Sequence, residues 1–393
     1  MVNDFLTRGG EFVGPPREWF LTDDWFTRDI NVIFRPRWML AGHLLELTAT
    51  NTYITYRLAD EEVLIRKDQH GNIRAYHNVC THRGAQLCPS GSGKMGRRIT
   101  CPYHSWTFDP SDGRLTSAPA MHESFDKSHW GLRSVHVEVW MGLIFVCLSE
   151  NRPASLSTLF GDGFFGGYDL SRLKIAAKQS TIVEANWKVV VENDKECYHC
   201  QANHPQLVKV QDWKIAGTTE GQFDAVISDG RLGNLDVQTF GSPNTLNTVE
   251  NRRVCKIPLP RTDHAPEPDA YAMGWFPGLT MGMARDYGKI MSPKPISASK
   301  TEVTVYWFVS EDAEEYRDYE VEGVKEFWGL TYAQDKEICE NVQKGMAMRS
   351  YQPGPFNRLH QAGQAGFYAR YVAEILTNNS DYGRSADYRS RAM

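Results

Sequence analysis

The sequence lacks any apolar run of the roughly eighteen residues that a membrane-spanning helix requires, and its N-terminus holds no hydrophobic segment of signal-peptide length. We therefore expect a cytoplasmic protein without a membrane partner. Clusters of lysine and arginine are also lacking, and 43 basic residues against 48 acidic ones leave a formal charge of −5. Because phosphate binding depends on clustered cations, this balance argues against a nucleic-acid partner.

Cysteine is sparse, at 8 residues in 393. The cytosol keeps thiols reduced, so these side chains are expected to serve as metal ligands or to pack as small apolar groups rather than to form disulfides. Cys197 and Cys200 form a CxxC pair, which can indicate zinc or redox chemistry, but no second pair follows and both fit as small residues that pack a helix. The cysteines predicted to be simply buried are Cys88, Cys147, Cys255 and Cys339.

Two Cys-His pairs, Cys80-Thr-His82 and Cys101-Pro-Tyr-His104, are the most informative residues present. Pairs at this separation can hold one metal centre between two loops. Thiolates on one iron and imidazoles on the other describe a Rieske [2Fe-2S] cluster, whereas the same four ligands also suit tetrahedral zinc. The flanking Gly84 and the segment Ser105-Trp-Thr-Phe108 provide backbone amides and aromatic cover, which favours the iron-sulfur cluster.

The chain length predicts two domains, and 41% hydrophobic residues suffice for two cores. Short apolar runs broken by turns between about 32 and 148 predict an all-β module with both Cys-His pairs at its loops. Glycine and proline between 150 and 172 indicate a linker. The second module has strand patterns at 272–283 and 300–309 and a long helix over 314–346, so the fold class is α+β. The helix face predicted to meet the sheet holds Phe327, Leu330, Thr331, Gln334, Ile338 and Val342.

A second metal site is predicted after Asn186, which is a candidate helix cap. If residues 186–199 form one helix, Glu192, Glu196 and His199 fall on one face. His204 precedes Pro205, which pushes it out of the α region and lets it turn back toward His199. Two histidines and one carboxylate form the facial triad of non-haem iron oxygenases. Ordinary polar residues near a helix end are the alternative, but the preceding cluster motif favours the metal site.

The apolar stripe predicted for the same helix comprises Trp187, Val190, Val191 and Tyr198. Asp194 lies on this stripe, where packing does not explain an acidic side chain. We expect it to hydrogen-bond a backbone group.

The segments from Cys80 to Cys88 and from Cys101 to Trp106 resemble the cluster-binding part of the catalytic subunits of Rieske non-haem iron oxygenases. The resemblance extends over nearly the whole chain. It implies an N-terminal all-β Rieske domain and a C-terminal helix-grip catalytic domain, in which an antiparallel sheet packs on a long helix. The implied division is an N-terminal segment 1–40 that packs on the catalytic domain, a Rieske domain 41–150, a linker 151–172 and a catalytic domain 173–393.

The resemblance also implies roles for two acidic residues. Asp335 lies in a segment similar to the family's late helix, which carries the aspartate ligand of the iron, so His199, His204 and Asp335 are the implied ligands. Glu196 occupies the position of the carboxylate that connects the two metal centres. A glutamate here, with the run Glu-Cys-Tyr-His-Cys, resembles the branch that oxidises quaternary ammonium compounds such as glycine betaine, proline betaine and carnitine.

From this resemblance we expect a Rieske cluster and a mononuclear Fe(II), with electrons from NADH reaching them through a separate flavin/iron-sulfur reductase. We also expect a homotrimer in which the cluster of one subunit faces the iron of its neighbour. The implied reaction hydroxylates a methyl group on a quaternary nitrogen and releases formaldehyde. Aromatic faces would bind the cationic nitrogen, and the candidates are Trp213, Phe240, Trp275, Phe276, Tyr287, Trp307 and Phe356.

Three other functions stay open on the sequence alone. The same scaffold and metals serve an aromatic ring hydroxylase or an O/N-dealkylase of an aromatic compound, because only the pocket decides the substrate. A chain with the cluster but without a working iron would be an electron carrier. A zinc-stabilised binding protein would use the same Cys-His pairs.

Overall fold

The computed structural model describes residues 6–160, 167–210, 235–238, 253–262 and 271–377, with backbone alone at 235–238 and at Tyr271. Within these ranges no helix combines the length and the apolar character that crossing a membrane would require. Two sheet-containing units are present, and their α+β composition confirms the predicted fold class.

The N-terminal unit is built from short antiparallel strands, as the turn signals predicted. One of its hairpins turns at Asp68, whose carboxylate accepts the backbone N–H groups of His70 and Asn72 at 2.8 and 2.9 Å. After the small hairpin β1 (Thr7–Arg8) and β2 (Glu11–Phe12), the sheets have the strand orders β6-β5-β4-β7, β10-β9-β8 and β11-β12-β3. The strands are β3 (Met39–His43), β4 (Thr52–Leu58), β5 (Glu61–Lys67), β6 (Ile73–His77), β7 (Ser92–Lys94), β8 (Ile99–Thr100), β9 (Thr107–Phe108), β10 (Leu115–Ser117), β11 (His136–Trp140) and β12 (Leu143–Cys147).

The C-terminal unit has a six-stranded antiparallel sheet of order β13-β18-β17-β16-β15-β14. Side chains of β18 alternate between two cores, because successive residues point to opposite faces. Val305 and Trp307 belong to the core shared with the helices, whereas Tyr306 and Phe308 pack with Phe145 of the N-terminal unit. The strands are β13 (Leu173–Val183), β14 (Leu235–Gln238), β15 (Tyr271–Trp275), β16 (Leu279–Met283), β17 (Gly288–Ser297) and β18 (Lys300–Ser310).

The long helix of this unit spans Val321–Met346 and does not begin near Glu314 as predicted. It starts later because the Asp318 carboxylate accepts the Glu314 backbone N–H at 2.9 Å and binds Arg317, which closes a turn before the helix. The predicted inward face was also partly wrong. Leu330 and Val342 are 48% and 39% exposed, and the buried positions are Val324, Phe327, Thr331, Cys339, Gln343 and Met346.

The remaining helices are short except for the last. They are α1 (Glu18–Leu21), α2 (Asp23–Asp29), α3 (Leu156–Phe160), α4 (Trp187–Asp194), α5 (Cys200–Asn203), α6 (Leu207–Val210) and α8 (Ala362–Thr377), with the long helix as α7. Helix α2 continues into a π-helical turn at Ile30–Phe34.

Asp29, at the end of α2, joins three parts of the chain in the core. Its carboxylate, which is fully buried, accepts the indole N–H of Trp187 at 2.8 Å and also binds the Lys188 ammonium and the Tyr371 hydroxyl. Lys188 is equally buried. The N-terminal segment, α4 and α8 are therefore connected through one ionic network, in which each charge depends on the other for its burial.

We predict that Asp29→Ala destabilises the protein by about 3 to 5 kcal/mol, because it leaves the Lys188 ammonium buried without a counter-charge. The midpoint of urea unfolding measures this effect. Asp24→Ala, at an exposed site on the same helix, is the control and should change stability by less than about 1 kcal/mol. Equal effects of the two substitutions would contradict the importance of the buried network.

Candidate functional site

The two Cys-His loops have the same backbone hydrogen bonds although they come from different hairpins. In each loop the cysteine N–H donates to the carbonyl five residues later, and the cysteine carbonyl accepts the N–H four residues later. The residue at that fourth position has a positive φ, 73° at Gly84 and 58° at Ser105. The bonds are Cys80 N to Ala85 O, Gly84 N to Cys80 O, Cys101 N to Trp106 O and Ser105 N to Cys101 O, at 2.8, 3.0, 2.8 and 3.1 Å.

These loops bring the four predicted cluster residues together. Cys80 and Cys101 are buried, each 2% exposed, and burial together with the neighbouring Cys101 thiol raises the pKa of Cys80. The rings of His82 and His104 lie 4.8 Å apart between centroids, with His104 exposed. Buried sulfur ligands and outer imidazoles suit a cluster with one inner and one outer iron.

Trp106 covers this site from one side. Its ring stacks on His82 at 4.6 Å with an interplanar angle of 8°, and it is 2% exposed. The Trp130 ring meets it edge-on at 6.2 Å. The aromatic shelter inferred from the residues after Cys101 is therefore present, and it lies over an imidazole.

Helix α4 ends at Asp194, so the predicted helix over 186–199 is wrong beyond that point. Its beginning agrees with the prediction, because the Asn186 side chain accepts the Lys188 N–H at 3.0 Å. The chain turns where the Glu196 carboxylate accepts the N–H groups of Tyr198 and His199. A side chain that binds the backbone in this way competes with helical hydrogen bonding.

This turn changes which predicted residues meet. Glu196 and His199 come together through the turn, whereas the Glu192 carboxylate hydrogen-bonds neither of them. Its Oε1 is buried and has no hydrogen-bond partner in the described ranges. Tyr198 is 51% exposed and does not belong to the apolar stripe, although Trp187, Val190 and Val191 are buried as predicted.

His199, His204 and Asp335 converge on one point. The two Nε2 atoms are 3.2 Å apart, and Asp335 Oδ1 lies 3.3 Å from His199 Nε2 and 3.0 Å from His204 Nε2. Ligands about 2.1 Å from a metal and at right angles to each other are separated by about 3.0 Å, so these distances fit three adjacent positions around one metal ion. His204 has φ −124° and ψ 70°, outside the α region, as its position before Pro205 predicted.

Hydrogen bonds on the far side of each imidazole orient the two Nε2 atoms. His199 Nδ1 lies 2.8 Å from Glu196 Oε1, and His204 Nδ1 lies 2.8 Å from Gln334 Oε1. Both acceptors are oxygens, so each Nδ1 donates and each Nε2 keeps its lone pair for a metal. From the sequence, Gln334 was predicted only to lie on the face of the long helix that packs against the sheet. Its hydrogen bond to His204 was not predicted.

The charges at this point favour a bound cation. Burial lowers the pKa of His199, but the hydrogen bonds that it donates to Asp335 and Glu196 outweigh burial and raise that pKa to about 9. Without a metal, His199 therefore holds a proton that a metal ion at Nε2 would replace. Burial raises the pKa of Asp335, whereas its bonds to His199 and His204 hold it below the ordinary value. Asn193, which the sequence did not single out, also reaches the site, with its Nδ2 3.3 Å from His199 Nε2.

Cys197 and Cys200 form a disulfide, so their prediction as separate small packing residues was wrong. The turn stabilised by Glu196 brings their Cα atoms to 4.9 Å, within the range that a disulfide spans. The prediction assumed a continuous helix. Cys88, Cys147, Cys255 and Cys339 are buried free cysteines, as predicted.

A cavity of about 130 Å³ lies beside Asp335, between the sheet and α7. Its wall includes Trp307, Tyr332, Asn193 and Asp194. Asp194, for which a backbone hydrogen bond was expected, thus lies at the cavity, and burial raises the pKa of its carboxyl.

Of the seven aromatic residues proposed from the sequence, Trp307 alone lines this cavity among the side chains that the structure describes. Trp213 and Phe240 lie outside the described residues. The other four have aromatic neighbours elsewhere. Trp275 contacts Phe160, Phe276 contacts Phe367, Phe356 contacts Phe12, and the Tyr287 hydroxyl accepts the indole N–H of Trp328.

Two family comparisons agree with this geometry. Residues 37–137 match the Rieske [2Fe-2S] domain, and residues 170–377 match the ring hydroxylating alpha subunit catalytic domain. The chain belongs to the ring-hydroxylating alpha subunits of the Rieske non-haem iron family and is an oxidoreductase. Its cofactors are accordingly a Rieske cluster and a mononuclear iron, which excludes the zinc-stabilised binding protein.

One sequence relative and one solved structure cover almost the whole chain, and a second sequence relative covers about half of it. The glycine betaine monooxygenase oxygenase subunit of Pseudomonas aeruginosa (strain UCBPP-PA14) is 32% identical over 92% of this chain and 89% of that protein. The carnitine monooxygenase oxygenase subunit of Acinetobacter baumannii (strain ATCC 19606) is 38% identical over 48% of this chain and 52% of that protein. The apo crystal structure of the quaternary ammonium Rieske monooxygenase CntA is similar with a TM-score of 0.72 and 26% identity, covering 95% of this chain and 98% of that one.

We predict a pH-dependent contribution of Glu192 to stability. Burial raises the pKa of its carboxyl to about 8, although Lys188 acts to lower it. The folded protein therefore binds a proton that the unfolded chain has lost, and stability falls as pH rises from about 5 to about 8, by about 1.4 kcal/mol per pH unit from this group.

Glu192→Gln cannot ionise and should lose this slope, which urea unfolding across the same pH range measures. Glu337→Gln, at an exposed site on α7, should leave the slope as it is. If Glu192→Gln retained the full pH dependence, its carboxyl would not be the group responsible.

Proposed function

We propose that this chain is the oxygenase subunit of a monooxygenase that acts on a quaternary ammonium compound of the betaine type. The main support is the convergence of His199, His204 and Asp335 beside a small cavity in a chain similar to glycine betaine and carnitine monooxygenase subunits. The wall of this cavity includes Trp307 and Tyr332. The cavity, at about 130 Å³, is comparable with one of about 150 Å³ that holds a single benzene molecule. This size favours a small substrate.

His199, His204 and Asp335 are the proposed ligands of the mononuclear iron, and the Cys80, His82, Cys101 and His104 side chains those of the cluster. When bound, the iron activates dioxygen with electrons that the cluster delivers. Glu196 and Gln334 hold the two imidazoles in the tautomer and orientation that this requires. The division into a segment 1–40, a Rieske domain 41–150, a linker 151–172 and a catalytic domain 173–393 is part of the same proposal.

Glu196 is the proposed electron bridge between subunits of a head-to-tail homotrimer. Its carboxylate offers about four acceptor positions, of which three are taken by His199 Nδ1–H and by the backbone N–H groups of Tyr198 and His199. The fourth would accept an imidazole N–H from His82 or His104 of a neighbouring subunit. His104 is exposed, which such a contact requires. Inter-subunit electron transfer has been described for CntA. Electrons would come from NADH through a flavin/iron-sulfur reductase.

The proposed reaction is N-demethylation. One oxygen atom of O₂ is inserted into a C–H bond of an N-methyl group, and the other leaves as water with two electrons from NADH and two protons. The resulting hydroxymethyl ammonium breaks its C–N bond, and formaldehyde, a proton and the tertiary amine are released. Trp307 and Tyr332 line the cavity in which an N-methyl group would lie close to Asp335.

We predict that His199→Ala, His204→Ala and Asp335→Asn lose the mononuclear iron and turnover but keep the cluster, because each removes one of three adjacent ligands. Iron analysis and the visible spectrum of the cluster measure the two centres separately. His70→Ala, an exposed histidine outside both sites, is the control. Full turnover in the ligand variants would instead indicate an electron carrier whose activity needs no second iron.

Glu196→Gln is the contrasting member of this series. Glutamine has one acceptor oxygen, so it keeps either the bond to His199 Nδ1–H or the bonds to the Tyr198 and His199 N–H groups, and the neighbouring imidazole loses its acceptor. Iron analysis of this variant separates loss of the mononuclear iron, which a weakened turn would cause, from loss of the bridge in protein that retains both irons. Reoxidation of a pre-reduced cluster by O₂ in the presence of substrate should then slow by at least about tenfold. An unchanged rate of cluster reoxidation would show that Glu196 does not carry electrons between the two centres.

The substrate class is tested by formaldehyde release with a compatible reductase, assayed with glycine betaine, proline betaine, carnitine, choline and aromatic acids. We expect release from betaine-type compounds, with NADH and O₂ consumed in equal amounts. Products from the aromatic acids alone would assign the chain to the ring hydroxylases or dealkylases of the same scaffold.

A further inference from the structure

Lys289 lies on β17 in the same row as the cavity residue Trp307. The strand register places Lys289 directly opposite Trp307 on one side and opposite Gly282 on the other, so all three are on the sheet face that meets the helices. Gly282 leaves room for the lysine stem, because a Cβ at that position would lie 3.0 Å from Lys289 Cε. Ala177 is the next residue in the row, beside Trp307. Lys289 and Trp307 are therefore neighbours in this row, with the small residues Gly282 and Ala177 on either side of the pair.

The Lys289 ammonium is buried and largely unpartnered. The residue is 8% exposed, and Nζ makes one hydrogen bond, to the Tyr332 hydroxyl at 2.5 Å. Nζ also lies 3.6 Å from the centre of the Trp328 ring. Among the described residues it has no carboxylate within 4.0 Å, although Asp194 and Asp335 act on it at longer range. Within the part of the chain that the structure describes, two of its three N–H donors therefore have no hydrogen-bond acceptor, and aromatic rings are the other contacts of the charge.

An unpaired buried ammonium destabilises a fold unless a ligand pairs with it. Burial lowers the pKa of Lys289 to about 8, so most of the population is still charged at neutral pH. Trp307 presents a further donor, because its buried indole N–H has no hydrogen-bond partner among the residues that the structure describes. Tyr332 and Trp307, the hydrogen-bond partner and the cross-strand neighbour of Lys289, both line the cavity beside Asp335. Unused donors of this kind suit an anionic group of a ligand.

We infer that Lys289 and Trp307 bind the carboxylate of the substrate, so that the enzyme selects quaternary ammonium compounds that carry a carboxylate over those that do not. This inference rests on the proposed function. A charge-assisted hydrogen bond from the lysine and a neutral one from the indole would satisfy a carboxylate. The quaternary nitrogen would then lie toward Asp194 and Asp335.

Choline tests this selection because it has the same cationic head group and no carboxylate. In the site it would leave both donors unpaired and would add a second positive charge near Lys289. The lysine's own ammonium already occupies the face of Trp328. A cation without a carboxylate therefore offers nothing that could pair with Lys289, which lies behind the cavity residues Trp307 and Tyr332.

The experiment measures equilibrium binding of glycine betaine and of choline to the iron-loaded protein by calorimetry at neutral pH, without oxygen or reductase. The wild type should bind glycine betaine at least about tenfold more tightly than choline. Lys289→Met should weaken glycine betaine binding about ten- to hundredfold and leave choline binding unchanged or stronger. Trp307→Phe, which keeps a ring but removes the N–H, should weaken glycine betaine binding by a smaller factor.

The matched control is Lys294→Met, on the same strand, where the ammonium pairs with Glu302 at 2.8 Å. It should leave both affinities as in the wild type. Lys289→Met should unfold at the same temperature as the wild type or higher, because it removes a buried charge that lacks a partner, so a folding defect can be recognised separately.

The outcomes distinguish the two proposals. If the wild type binds neither compound nor any other quaternary amine, the proposed function fails. If the wild type binds glycine betaine and Lys289→Met binds that ligand equally well, the proposed function stands and the role of Lys289 is refuted. The same conclusion follows if Lys289→Met loses affinity for glycine betaine and for choline to the same extent. Equal affinity of the wild type for choline and glycine betaine would also refute it.

Discussion

The hydrogen bonds of the Glu196 carboxylate determine the geometry of the second metal site. They end the helical path after Asp194, close the turn that carries Cys197 to Cys200, and hold His199 by its Nδ1 atom. Without this turn a regular helix would continue through His199, and His204 would lie on a different face. One carboxylate therefore orients His199, a proposed iron ligand, and in the proposed trimer it also faces the neighbouring cluster.

The C-terminal sheet connects the two halves of the molecule because both of its faces are buried. Tyr306 and Phe308 pack against the N-terminal unit, and Trp307, between them in sequence, lines the cavity on the helical side. Alternation along a single strand thus places the residues that pack the two units together on one face of the sheet and the cavity residue on the other. The buried Asp29 network then secures α4, which precedes the iron ligands, against the N-terminal segment and α8.

The sequence predicted those features that depend on local chemistry. The Cys-His loops, the Asn186 cap and the backbone of His204 before Pro205 each follow from a few neighbouring residues. Asp335 was found only through family resemblance, since more than a hundred residues separate it from His204. The end of α4, the disulfide and the buried face of α7 were predicted wrongly, because side-chain hydrogen bonds and tertiary packing decide them. Lys289 and Tyr332 carry no sequence signal, and only strand register and helix placement bring them together.

Gly282 offers a way to redesign the enzyme. A methyl group added there would press on the Lys289 stem at its Cε atom while leaving the charge in place. Enlarging this one position would shift the ammonium along the row toward Trp307. In the proposed binding mode, this shift would shorten the distance between the carboxylate and the quaternary nitrogen of a substrate that fits. Variation at a residue that touches no substrate could in this way tune the length of molecule that the enzyme accepts.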